Sequence, residues 1–127
     1  MDITRNIRAE IVEPRGNITR LLDDGTAFKS ILLITSKAGT VRSNHYHKTD
    51  THYCYILSGS CQWHEQPVAG GKVESAELAA GDMVRTSPMT VHAVKFLQDS
   101  VMLAFSTRGR QQEDYEADTV RVKLLEG

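Results

Sequence analysis

Long apolar runs are missing from this 127-residue chain. The longest, "ILLI" at 31–34 and "VMLAF" at 101–105, fall far short of the ~20 residues that a membrane-spanning helix needs. No membrane partner is expected. An excess of basic charge is missing too. Fifteen Lys and Arg stand against sixteen Asp and Glu, for a net charge of −1. No positive field exists to hold a phosphate backbone, which excludes nucleic acid as a partner. "MDITRNIRAE" lacks the apolar core of a secretory leader, and the expected compartment is the cytoplasm. Long helical periodicity is absent, as are internal repeats and low-complexity segments.

Cysteine is scarce. Only Cys54 and Cys61 occur. "YCYILSGSCQW" reads as two strands joined at Ser58-Gly59. With those two residues as the loop, Cys54 lies opposite Trp63 and Ile56 opposite Cys61. The cysteines are then diagonal neighbours, wider apart than the ~3.8 Å between Cβ atoms that a disulfide needs. Two free, buried thiols are expected, in keeping with a reducing compartment. The alternative is a thiolate metal ligand.

What is present is a series of short β-type runs with turn residues between them. Strands are expected near 7–12, 17–22, 28–35, 41–45, 53–57, 61–65, 73–78, 83–86, 93–97, 101–106 and 119–124. "DDG", "KAG", "SGS", "AAGD" and "QDS" punctuate them. The polar stretch 108–118 reads as a loop or a single helical turn. Many short strands at even spacing predict an all-β sandwich or barrel.

Four of the five histidines fall in two places. "HYHKTDTH" carries His45, His47 and His52, and "SPMTVHAV" carries His92. His45 and His47 are two apart, so one strand face presents both imidazoles. A short turn brings His52 back beside them. A distant strand must deliver His92. Several neutral imidazoles converging from rigid strands suit a metal ion at about 2.0–2.2 Å. Exposed histidines without a ligand, or a purely structural site, are the plainer alternatives.

This spacing resembles the cupins. Gly39, His45, His47, His52 and Gly59 are similar to their first motif, over about 39–59. Gly81, Asp82, Pro88 and His92 are similar to the second, over about 81–96. The resemblance covers roughly residues 28–106. It implies one cupin domain over 1–127, an all-β, single-domain antiparallel jelly-roll β-barrel. Its ligand positions fall on His45, His47, His52 and His92. Two departures stand out: cupins commonly carry Glu where this chain has His52, and "PMTVH" lacks the glycine often found before the last histidine.

The resemblance implies one divalent transition metal. Imidazole suits Zn, Ni, Mn and Fe, so the ligand set does not name the ion. Four neutral ligands leave its charge at +2, which favours anionic or polar oxygen ligands. His52, Cys54, Ile56, Cys61 and Trp63 should share one face as an apolar cavity floor, although Trp63 also reads as ordinary core. His64, one step out of phase, should face away. Lys48 and Asp50 should be solvated. Arg42 and Arg85 either reach a substrate anion or sit on the surface. Leu32, Ile34 and Val101 should lie on the outer face and invite a second copy, giving a homodimer.

"HYHK" and "LSGSC" resemble runs in sugar-nucleotide ketoisomerases. "PRGNIT" and "EDYEAD" are similar to segments near the ends of such enzymes. Those ketoisomerases do not depend on a metal quartet, so the implied mechanism is not theirs unchanged. The first expectation is a metal-dependent isomerase or epimerase of a hydroxy-keto sugar or sugar nucleotide. The ion would chelate carbonyl and hydroxyl and stabilise the enediolate left when a base takes the α-proton. The second is an Fe or Mn oxygenase. The third is a non-catalytic domain that binds a small carbohydrate-like molecule. Composition and motifs name no catalytic base.

Overall fold

The computed structural model describes residues 1–127, apart from the side chain of Gln112. The elements are β1 (Asp2–Thr4), β2 (Ile11–Glu13), β3 (Gly16–Ile18), β4 (Ser30–Ser36), β5 (Val41–His47), β6 (His52–Ser58), β7 (Ser60–Pro67), β8 (Glu74–Ala79), β9 (Met83–Thr86), β10 (Thr90–Phe96), β11 (Ser100–Ser106), α1 (Gln112–Asp118) and β12 (Thr119–Arg121). One antiparallel sheet runs β1-β9-β6-β11-β4 and the other β12-β5-β10-β7-β8, with β2 and β3 as a separate ribbon. No helix is long and apolar enough to cross a membrane, among the described residues.

The core lies between the two sheets. Cys54, Ile56, Val84 and Met102 come from one, and Cys61, Trp63, Leu78, Val94 and Phe96 from the other. Strand alternation puts them there, since every second residue of a strand faces one side. Burying each large side chain contributes roughly 1.5–3 kcal/mol. β6 is buried on both faces. Tyr53 and Tyr55 point out of the sandwich, under Ile7, Leu21, Leu22 and Phe28 of the N-terminal segment.

The expected barrel is corrected: the sheets are not hydrogen-bonded into a closed one. The expected hairpin at Ser58-Gly59 is corrected as well. β6 pairs with β9 and β11, whereas β7 pairs with β8 and β10. The chain changes sheets at Gly59, where φ is +86°. Cys54 and Cys61 therefore belong to opposite sheets of one core, and both are free and buried. Burial pushes both thiols up, that of Cys61 to about 12, so neither is a ready thiolate.

The outward phase of β4 also differs. Leu32 and Ile34 pack against the core, while Ile31 and Leu33 are 63% and 67% exposed. Four apolar residues in a row hide the phase. Pairing decides it, because Ile34 and Leu32 sit opposite the buried Met102 and Ala104.

Three outer strands, expected at 7–12, 17–22 and 119–124, are shorter than expected, and β1 was not expected. The 7–12 run does not pair throughout, because Asn6, at φ 48°, turns the chain out of β1. Asp82 then accepts the Asn6 N–H at 2.9 Å and an Arg5 N–H at 3.0 Å. Past Arg121 the backbone bonds to Asn44 rather than extending β12.

Candidate functional site

β5 carries His45 and His47, β6 opens on His52, and β10 carries His92. Ser43 and Asn44 precede them in left-handed conformations, φ 71° and 55°. Opposite, the β5–β10 register slips between His92 and Ala93. This bulge re-aims β5 at its functional end. Asn side chains tolerate that conformation by bonding locally. Here the Asn44 Oδ1 accepts the Leu124 and Leu125 N–H groups, both at 2.8 Å.

The four rings meet. The His92 centroid lies 4.7 Å from His45, 5.6 Å from His47 and 4.6 Å from His52. Ligand atoms of His45, His47 and His92 all lie within 4.8 Å of one another. His47, His52 and Asp50 form a second such group. The cluster is thus a set of three histidines, with the fourth joined through His47 and backed by a carboxylate.

Asp50 corrects an expectation. Expected in solvent, it is buried, and its Oδ1 accepts the Thr107 N–H at 2.9 Å and hydroxyl at 3.0 Å. Its Oδ2 lies 3.8 Å from His52 Nδ1. Asp118 behaves alike. Its carboxylate accepts from Thr49 and stands 3.5 Å from His47 Nδ1. Hydrogen bonds from Thr49 and Asp50 outweigh burial and hold the Asp118 carboxyl below its usual value. Asp118 thus stands one ring behind the cluster, next to His47.

Each ring is fixed. His92 Nδ1 lies 3.1 Å from the Thr90 carbonyl, so the ring donates there and keeps its Nε2 lone pair free. Trp63 stacks on His92 at 5.8 Å and 5°, itself held by a bond from Nε1 to Glu65 at 2.9 Å. The Nε2 atoms of His52 and His92 are buried without a hydrogen-bond partner, as is that of His64 outside the cluster. Unpartnered imidazole nitrogens, neutral and convergent, fit a borderline metal, and these groups could hold one.

A cavity of about 760 Å³ opens above them, lined by Leu32, Ile34, Cys54, Trp63, Met102 and Tyr115 among others. Arg42 lines it while bonded to Ser36 and Thr35. Arg85 sits elsewhere, over the Tyr53 ring. His64 stays out of the cluster, half-buried, with Nδ1 2.6 Å from Ser75 Oγ. Asn44, Asp118, Arg110, Tyr115 and Arg121 are site residues with no individual role assigned from the sequence, although Tyr115 and Asp118 lie within "EDYEAD".

Burial lowers all four imidazoles, His92 to about 4. In His47 the pull of Asp50 and Asp118 partly opposes it. The unfolded chain binds protons near pH 6.5 and the folded chain does not. Stability from these groups is therefore whole above about pH 6.5 and lost as pH falls towards 4. His92 alone accounts for roughly 3 kcal/mol. Asp82 and Asp118 are lowered from 3.8, so their contribution fades only at lower pH. Urea midpoints should drop between pH 7 and pH 4.5. An unchanged midpoint would show that the fold does not hold these histidines neutral.

No protein-family model matches the chain, and no curated protein does. Solved structures do. A 3,4-ketoisomerase from Helicobacter canadensis is 19% identical at a TM-score of 0.77, over 95% of this chain and 91% of that one. A variant of the 3,4-ketoisomerase QdtA from Thermoanaerobacterium thermosaccharolyticum, in complex with TDP-4-keto-6-deoxyglucose, is 16% identical at 0.74, over 94% and 87%. The capsular polysaccharide assembling protein CapF from Staphylococcus aureus is 18% identical at 0.69 over 90% of this chain. The chain spans about a third of CapF, 32% of its length. At these identities the likeness is one of fold: the chain shares the all-β fold of these 3,4-ketoisomerase structures.

Proposed function

We propose that the chain is a metal-dependent isomerase or epimerase of a hydroxy-keto sugar, free or nucleotide-linked, built as a single cupin domain. One observation carries this reading: four buried histidines converge, two of them with unpartnered Nε2 atoms, and three of the four line one cavity in a fold shared with sugar ketoisomerases. His45, His47 and His92 would hold one divalent Zn, Ni, Mn or Fe, with His52 as the fourth ligand. When bound, the ion supplies Lewis acidity to a substrate carbonyl whose α-proton is leaving.

The chain's own residues do the rest. Asp118 and Thr119 orient His47 through Nδ1, and the Thr90 carbonyl orients His92. Trp63 and Met102 supply part of the apolar lining of the cavity. The metal-loaded protein, incubated with TDP-4-keto-6-deoxyglucose in D₂O without oxygen, should exchange the proton beside the ketone and form an isomer visible by NMR. Chelation should stop both. Absence of exchange with this and other keto sugars sinks the reading, and oxygen uptake would point to an oxygenase instead.

The reading includes a homodimer. Ile31 and Leu33 on β4, with Leu57 at 51% exposure, offer a second copy an apolar face. Light scattering should give twice 14.2 kDa, and a 14.2 kDa particle would remove the dimer.

A further inference from the structure

The charge around the cavity is one-sided. Arg42, Arg110, Arg121 and Lys123 line it, with no Asp or Glu among its described lining residues. Two of these cations are engaged. Arg42 bonds to Ser36 and Thr35, and Lys123 pairs with Glu126 at 2.8 Å. Neither Arg110 nor Arg121 shows an ion pair with a carboxylate among the described residues. Both lie close to the histidines. The Arg110 guanidinium covers the Tyr115 ring at 4.2 Å, and that ring stands 6.4 and 6.0 Å from His45 and His47. Arg121 Nη1 is 3.5 Å from His45 Nδ1.

These groups come from one stretch, residues 108–127. It is docked firmly. β12 pairs with β5, and Asn44 binds the backbone at Val122, Leu124 and Leu125. Of the four acids of α1, Glu113, Asp114 and Glu116 line a separate groove, and Asp118 stands behind His47 without lining the cavity. So α1 turns Tyr115 to the cavity and three of its four carboxylates away from it.

We infer that this C-terminal segment is the substrate-recognition element, and that Arg110 and Arg121 hold an anionic group, phosphate or carboxylate, borne on the reacting sugar. The inference rests on the isomerase reading and deepens it. Planar guanidinium matches either anion in a two-point contact. An anion at these positions lies within about one ring's width of the histidines, so it belongs to the sugar and not to the far end of a long carrier.

The test reads binding, not turnover. Calorimetry on the metal-loaded protein uses glucose, glucose 1-phosphate and glucuronate. At least one anionic sugar should bind more tightly than glucose. The double substitution R110Q/R121Q should weaken that sugar at least about tenfold with metal content unchanged. The charge-matched pair K29Q/K95Q, exposed and outside the cavity, should leave it unaltered. The tighter of the two sugars names the source of the charge. The single variants R110Q and R121Q carry the test if the double variant fails to fold. Preference for neither anion, or equal losses in R110Q/R121Q and K29Q/K95Q, overturns the inference. Intact binding without proton exchange would overturn the isomerase reading alone.

Discussion

His92→Ala should abolish binding at the proposed metal site and cost about 3 kcal/mol of stability, the usual loss when a large buried side chain is cut to Ala. His92 is fully buried, touches the rings of His45, His47 and His52, and stacks on Trp63. Its loss opens a void beneath the cluster and removes the donor common to all its neighbours. Metal affinity should fall by at least about 100-fold, beyond the loss from disturbing an outer partner. His52→Ala should cost less, because His45, His47 and His92 remain a complete group of three. His52→Glu restores the commoner cupin ligand and should keep the metal. His64→Ala should leave metal content alone, since its ring bonds Ser75 outside the cluster. Elemental analysis beside thermal melts measures both effects. If His64→Ala lost the metal while His92→Ala kept it, the site assignment would be wrong.

Gly59→Ala should destabilise the fold by at least about 3 kcal/mol, through strain in both backbone and packing. Gly59 has φ +86°, and an added Cβ would meet the Asp99 carbonyl oxygen at 2.7 Å and Ser100 Cα at 2.8 Å. Both obstacles are backbone. Ser100 cannot withdraw easily, because it is buried and its hydroxyl accepts the Ser60 N–H at 3.2 Å. Gly39 is the matched control. It has the same φ of +86°, but nothing lies within 4 Å of its Cβ position. Gly39→Ala should lose only the ~1–2 kcal/mol of a left-handed alanine. Urea unfolding of the pair separates collision from conformation. Equal losses would mean that the close approach at Gly59 does not matter.

Much of the site was legible because its signals are local. The spacing of His45 and His47 puts both rings on one face of β5 whatever the strand pairs with. Trp63 and His64 fall on opposite sides for the same reason. Gly59 and Gly81 mark turns through their own positive φ. Asp50 was misread because its type and turn position suggest solvent, whereas Thr107, fifty-seven residues away, supplies its donors. β4 was read out of phase because "ILLI" has no polar residue to mark a side.

By itself the sequence determined the all-β character, most of the turns, and the four histidines whose rings come together in one cluster. Those follow from backbone geometry over a few residues. Only the tertiary structure decided that β6 and β7 part into different sheets, that the sheets stay open, and that Asp50 and Asp118 stand behind His52 and His47. It alone brought Arg110, Tyr115 and Arg121 to the cavity. The physical reason is distance along the chain. Asn44 and the backbone at 122–125 are about eighty residues apart, and only the long-range β5–β12 pairing brings them into hydrogen-bonding distance.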